Sequence, residues 1–181
     1  EAAGGIDRFL DAHAVIVCSD HGHGHVERTF DLHAAFGDFQ IAQPTPPMRE
    51  NRKAAQEQAA GAEIALCPNQ RAAMVYVLDR ERRQELIPRL VETAASVPVV
   101  DVICRLEGDE AVVTAPARGE LRFRPGGDLL DDRGNRWTVD GDLDAIKAHV
   151  AAGRILSRRY PDALRRVWAG LCCETSGDVL L

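Results

Sequence analysis

The residues best suited to chemistry follow a short apolar run near the start of the chain. Residues 14–18 (AVIVC) lead directly into Ser19, Asp20, His21 and Gly22. An ionised carboxylate and a neutral imidazole are ligands that zinc and manganese take in hydrolytic sites. Adjacent residues at a strand-to-loop turn can both reach one ion, and a following glycine allows unusual backbone angles. Asp20 and His21 are therefore predicted to bind a divalent metal.

Two further histidines, His23 and His25, continue the loop at every second position. They could supply extra ligands, or they could be solvated residues on either side of Gly24. The second interpretation is favoured, because a motif match needs geometry to support it. Ser19 has no general base at a known spacing, so no residue of the chain is predicted to be catalytic.

The elements that must position this loop are predicted from apolar periodicity. Residues 14–18 are short, apolar and β-branched, which predicts a strand buried on both faces, as in a parallel sheet between helices. A strand–helix–strand unit is also predicted, with a strand over residues 72–78, a helix over residues 80–95 and a strand over residues 99–106. Together these patterns predict an α/β fold, namely a three-layer α/β/α sandwich with a mostly parallel central sheet.

The second half of the chain has a different character. Residues 107–140 hold short apolar runs separated by Gly, Pro and Asp turns, which predicts a small antiparallel β meander inserted on the rim of the sheet. Helices are expected over residues 142–152 and 162–171, and a returning strand over residues 176–181. The acidic turn of the meander could hold a cation, but a solvated turn is favoured; its residues are Asp128, Asp131 and Asp132.

An apolar strand followed by Ser-Asp-His-Gly resembles the alkaline phosphatase superfamily. The stretches CPNQRAAMVYVLDRE, GELRFRPGGDLL, YPDALRRVWAGL and TSGDVLL are similar to the carboxyl-terminal half of bacterial type I phosphodiesterase/nucleotide pyrophosphatase-like proteins. This resemblance spans most of the chain. It implies that residues 1–181 form the carboxyl-terminal part of a catalytic domain, and hence an incomplete domain, with residues 107–140 as an insertion.

The resemblance also implies a two-metal site, usually with zinc and with manganese as a possible substitute. Asp20 and His21 would ligate the metal that holds the nucleophile. The nucleophile and the remaining ligands are expected before Glu1, apart from a final metal-binding histidine just after Leu181. The expected activity is hydrolysis of small phosphate esters, namely phosphodiesters or nucleotide pyrophosphates, by the intact parent protein. Residues 1–181 alone are expected to show no turnover.

Two alternatives stay open. One is a sulfatase or phosphomonoesterase of the same superfamily, which the identity of the nucleophile would distinguish. The other is a non-catalytic, histidine-rich metal-binding module, which predicts tight metal binding by this chain alone.

The composition indicates which classes of binding partner and which cellular location to expect. A net charge of −6 argues against a nucleic-acid binder. No apolar run approaches the roughly 20 residues of a membrane span. Five cysteines without metal or disulfide spacing suggest free thiols and a cytoplasmic location. An arginine cluster could contact an anion, although a solvated face is favoured; its members are Arg158, Arg159, Arg165 and Arg166. The oligomeric state does not follow from the sequence.

Overall fold

The structure, a computed structural model, describes residues 4–20, 22, 24–26, 29–42, 53, 57 and 59–181. Its α-helices include α1 (Ile6–Ala12), α2 (Leu32–Ala35), α3 (Arg83–Ser96) and α4 (Ala163–Leu171), and a 3-10 helix covers Leu143–Ile146. Residues 53, 57 and 59 are also helical. Within those described ranges, no helix has the length and apolar character needed to cross a bilayer.

Nine strands among the described residues form one mixed sheet. They are β1 (Ile64–Asn69), β2 (Ala72–Val77), β3 (Ile103–Glu107), β4 (Glu110–Ala115), β5 (Gly119–Leu130), β6 (Arg136–Gly141), β7 (His149–Ala151), β8 (Arg154–Leu156) and β9 (Val179–Leu180). Their order across the sheet is β1-β2-β9-β3-β4-β5-β8-β7, and β6 pairs with β5 beside that path.

Nearly all neighbouring strands are antiparallel, so the predicted three-layer α/β/α sandwich with a mostly parallel sheet is wrong. The short connections explain this outcome. Two residues join β1 to β2, and another two, Gly108 and Asp109, join β3 to β4. A parallel pair needs a crossover of about a dozen residues or more. The parallel contact of β5 with β8 involves one residue pair, Leu130 with Arg154.

The predicted strand–helix–strand unit is confirmed as β2–α3–β3, but the two strands are not neighbours. Strand β9 lies between them and is antiparallel to both, with Val179 opposite Val75 on one side and Arg105 on the other. Strands β2 and β3 therefore run in the same direction, and they begin at the same edge of the sheet. We call this edge the β2/β3 start edge.

Two cores lie on opposite faces of the sheet. Successive residues of a strand point to opposite faces. Ile103 accordingly packs in the core under α3, with Leu86 and Leu90, and the next residue, Cys104, packs in the core that includes Leu164 of α4. Helix α3 packs on β2, β9 and β3 from one face, and α4 packs on β3 and β4 from the other face.

The meander strands are confirmed as β4, β5 and β6, and pairing with β3 makes them a continuation of the main sheet. Helix α4 and strand β9 are also confirmed. The predicted helix over residues 142–152 is wrong, because the 3-10 helix ends at Ile146 and β7 follows. Lys147 ends that helix in the left-handed conformation, with φ of 47° and ψ of 44°.

The predicted buried strand at residues 14–18 is wrong as well. These residues form no strand within the described part of the chain, and Val15, Ile16 and Val17 are 56%, 87% and 92% exposed. An apolar run is buried only if another element packs on it, and among the described residues none does so. The run leads into the loop that holds Asp20, and the described residues of that loop, 19, 20, 22 and 24–26, are exposed too.

Candidate functional site

The structure places one of the two predicted metal ligands. Asp20 lies on an exposed bend, and Ser19 Oγ donates a hydrogen bond to its Oδ1 at 3.4 Å. His21, the second predicted ligand, lies outside the described residues, as does His23. His25 is described and is exposed.

The described residues bring no further metal ligands to this loop. Among them, no group of three or more His, Cys, Asp and Glu side chains is arranged to hold a metal ion. The donor types of Asp20 and His21 fit zinc or manganese, which accept carboxylate oxygen and imidazole nitrogen. Two donors make up only part of the four-ligand shell that zinc prefers.

The loop reaches the sheet through Gly24. A Cβ placed on Gly24 would come within 2.8 Å of Nη1 of Arg71, so the backbone at Gly24 lies against this guanidinium group. Arg71 belongs to the turn between β1 and β2. The Asp-His loop is therefore adjacent to the β2/β3 start edge.

Topology explains why several basic residues meet at this edge. Arg71 directly precedes β2, and Asp101 lies just before β3. Strand β4 is antiparallel to β3, so it ends at this edge and its turn into β5 brings Arg118 there. The 3-10 helix contacts both β4 and β5, and Lys147 stands at the end of that helix.

These residues line an open cleft, which we call the basic cleft. Its volume is about 500 Å³, within the range of small-molecule sites. Val97, Pro98 and Val99 form an apolar wall after α3. The charged lining consists of four basic residues, namely Arg71, Arg118, Lys147 and Arg159, and one acidic residue, Asp101.

Arg118 and Asp101 line the basic cleft as a pair that is held in place by hydrogen bonds. Arg118 donates from Nη1 to Asp101 Oδ1 at 2.8 Å, and it also donates to three backbone carbonyls, those of Asp101, Asp144 and Ala145. Tyr160 donates its hydroxyl to Asp101 Oδ2. Burial acts to raise the pKa of Asp101, but these hydrogen bonds from Tyr160 and Arg118 outweigh it and hold the pKa below its usual range.

The acidic turn of the meander is a structural element. Asp131 is 4% exposed and accepts hydrogen bonds from the backbone of Arg133 and Asn135 and from the Trp137 indole. Asp128 and Asp132 are exposed. The carboxylate of Asp131 therefore closes the turn, which differs from both the cation-binding and the solvated interpretations of its sequence.

A second, much smaller cavity lies between this turn and α4. It holds about 10 Å³, the space of one water molecule, and Asp162 lines it. Asp162 Oδ1 has no hydrogen-bond partner among the described atoms, although Oδ2 pairs with Arg133 and Arg165. This cavity is too small for a substrate.

The predicted arginine cluster is divided by the fold. Arg165 pairs with Asp162, whereas Arg159 lines the basic cleft. No sequence pattern indicated that Arg71 and Lys147 lie beside it. These two residues are 76 positions apart in the chain, and only the sheet brings them together. Arg159 was the one residue of the basic cleft that sequence patterning could single out.

No family model matches the chain, and comparison with curated proteins and with solved structures finds no similar protein.

Proposed function

We propose that the chain supplies Asp20 and His21 to a divalent-metal site in a hydrolase of phosphate esters, with phosphodiesters or nucleotide pyrophosphates as substrates. The observation that carries the proposal is the position of the loop. Asp20 is exposed on a bend, with Gly22 two residues on, and Gly24 in the same loop lies against Arg71 at the edge of the basic cleft. This contact supports the proposal because it brings the loop of Asp20 next to a guanidinium group of the kind that suits phosphate.

The course of β9 supports the same location. The superfamily resemblance implies a further metal-binding histidine after Leu181. Leu181 exchanges two backbone hydrogen bonds with Ala73, at 2.8 and 3.0 Å, and Ala73 is two residues from Arg71. A residue that follows Leu181 in a longer chain would thus start from the β2/β3 start edge, beside the loop of Asp20.

Each residue has a distinct role in this proposal. Asp20 contributes a carboxylate and His21 an imidazole to the metal. Ser19, which donates to Asp20, holds that carboxylate in place. When bound, such metal ions stabilise negative charge on phosphoryl oxygens. Arg71 is positioned to attract the anionic part of the ester, since guanidinium groups suit phosphate.

A cytoplasmic location forms part of the proposal. All five cysteines are free thiols, and four of them, all except Cys104, are exposed. Exposed thiols persist in a reducing compartment.

The test uses the natural protein that contains residues 1–181. Hydrolysis of bis(p-nitrophenyl) phosphate, p-nitrophenyl phosphate and p-nitrophenyl sulfate is measured with added zinc or manganese. Asp20→Asn and His21→Ala should each lower diester hydrolysis by about a hundredfold or more, since even residues that only support metal ligands are worth 10–100-fold. His25→Ala, in the same loop, is the matched control and should retain wild-type activity.

Three results would contradict the proposal. An Asp20→Asn protein as active as wild type would remove the metal role of that residue. Preferential hydrolysis of the sulfate ester would assign the site to a sulfatase. Absence of all ester hydrolysis, together with tight zinc binding by residues 1–181 that His25→Ala abolishes, would indicate a metal-binding module.

A further inference from the structure

The basic cleft is positively charged although the protein as a whole is negative. Its lining carries four basic residues and one acidic residue, in a chain with a net charge of −6. Asp101 hydrogen-bonds with Arg118 and Tyr160, and Lys147 also acts on it electrostatically, so this one carboxylate offsets only part of the positive charge of the cleft. Arg71, Lys147 and Arg159 form no ion pair with any side chain in the described ranges.

Most other arginines of the described structure have a carboxylate partner. Arg80 and Arg83 pair with Asp178, Arg105 pairs with Glu107, and Arg165 pairs with Asp162. Three cations without such partners in one concave site repel one another, and an anion between them would relieve that repulsion.

One of these cations lies at a left-handed backbone position, and another directly follows one. Lys147 has φ of 47°, and Gln70, which directly precedes Arg71, has φ of 55°. This conformation is unfavourable for residues other than glycine, and such residues cluster at functional sites. At Lys147, which follows a 3-10 helix, glycine would be the more stable choice.

We propose that the basic cleft binds a small organic phosphate. Arg71, Lys147 and Arg159 contact the phosphate, since two guanidinium forks and an ammonium group match a dianion with several acceptor oxygens. The wall of Val97, Pro98 and Val99 packs on the apolar part of the molecule. This site does not require a metal at Asp20 and His21.

The first experiment measures the affinity of the protein for phenyl phosphate and for inorganic phosphate by isothermal titration calorimetry, in EDTA at low ionic strength. Phenyl phosphate should bind saturably and more tightly, because its ring packs on the apolar wall. Arg159→Gln should weaken binding about tenfold, the expected loss for one hydrogen bond to a charged group. Arg158→Gln removes the neighbouring exposed charge, which does not line the cleft, and should leave affinity unchanged.

A second variant separates loss of binding from loss of folding. Lys147→Gly removes a cation and a strained backbone position together, so affinity should fall about tenfold while the melting temperature rises by about 2 °C. Ala152→Gly is the matched control. Ala152 has φ of 49° in the turn between β7 and β8, away from the cleft, so this change should raise the melting temperature without altering affinity.

The binding experiment can fail or succeed independently of the hydrolysis experiment that tests the metal site. Asp20→Asn removes a proposed metal ligand and should still bind phenyl phosphate saturably in EDTA. The proposal is overturned if phenyl phosphate does not bind saturably. It is equally overturned if Arg158→Gln weakens binding as much as Arg159→Gln, because the attraction would then be general, or if Lys147→Gly gains stability and keeps full affinity.

Discussion

Replacing Asp131 by asparagine removes one charge from the turn between β5 and β6 and keeps the size of the side chain. Oδ1 of Asp131 accepts from the backbone N–H groups of Arg133 and Asn135, at 2.9 and 2.8 Å. Oδ2 accepts from Asn135 Nδ2 at 2.7 Å and from Trp137 Nε1 at 2.9 Å. The carboxylate therefore satisfies four donors, and the amide of an asparagine has only one oxygen with which to do so.

The geometry decides which hydrogen bonds are lost. The two backbone donors cannot turn away, so the new amide should keep its oxygen toward them and place its NH2 group toward Asn135 and Trp137. The Asn135 side chain can flip and accept from this group, but the Trp137 indole can only donate. One buried donor stays unsatisfied and the charge-assisted bonds weaken, which gives an expected loss of about 2–4 kcal/mol.

The same loss should depend on pH. Burial acts to raise the pKa of Asp131, but hydrogen bonds from Asn135, Trp137 and Arg133 outweigh it and lower the pKa. A carboxyl group with a lowered folded pKa contributes stability above its unfolded pKa of about 3.9, and this contribution disappears as the pH falls through the folded pKa. The difference between wild type and Asp131→Asn should therefore shrink below about pH 3.9.

Urea unfolding followed by tryptophan fluorescence, at pH 7 and near pH 3, measures both effects. Asp132→Asn is the matched control, because this neighbouring carboxylate is exposed, and it should change stability by less than about 0.5 kcal/mol. A loss at Asp131→Asn below about 1 kcal/mol at pH 7, or an equal loss at both pH values, would refute the assignment of this carboxylate as the acceptor that closes the turn.

Two further predictions follow from exposure. Ile16→Asp should change the free energy of unfolding by less than about 0.5 kcal/mol, because Ile16 is 87% exposed; a loss above about 3 kcal/mol in urea unfolding would show that residues 14–18 are buried after all. Burial raises the pKa of the Cys104 thiol to about 12. Four of the five thiols should therefore react rapidly with Ellman's reagent in the native protein and Cys104 only after unfolding, and five rapid thiols would contradict the packing of β3.

Local patterns predicted those elements whose signals are local. The helix α3 and the strands β2 and β3 follow from apolar periodicity, and β4 to β6 follow from turn residues between short apolar runs. The prediction of a mostly parallel sheet was wrong because strand direction depends on which strands pair with each other. Tight turns such as Gly108 and Asp109 enforce antiparallel neighbours, and no local pattern showed that β9 would enter between β2 and β3.

Two errors have a common physical cause. The run at residues 14–18 has the composition of a buried strand, yet burial also needs a covering partner, and the described residues offer none. Residues 142–152 have a helix cap at Asp142, yet Lys147 adopts a left-handed conformation and the chain turns into β7. In both places the tertiary arrangement overrides a local preference.

The candidate site also has one part that the sequence reveals and one part that only the tertiary structure reveals. The Asp-His pair is visible in the sequence because its residues are adjacent. The basic cleft is not, because Arg71, Arg118, Lys147 and Arg159 come from four separate turns or termini that only the sheet brings together. Sequence patterning could mark Arg159 as a possible anion contact, but it could not supply the partners that make the contact specific.

Whether Asp20 and His21 bind a metal is decided by locating the ion. Crystals of the natural protein grown with zinc, with diffraction measured on both sides of the zinc absorption edge, give an anomalous map. We expect a peak about 2.0–2.2 Å from an Asp20 carboxylate oxygen and a His21 ring nitrogen, the usual zinc distances. Full zinc occupancy elsewhere, with no peak at Asp20 and His21, would contradict this expectation.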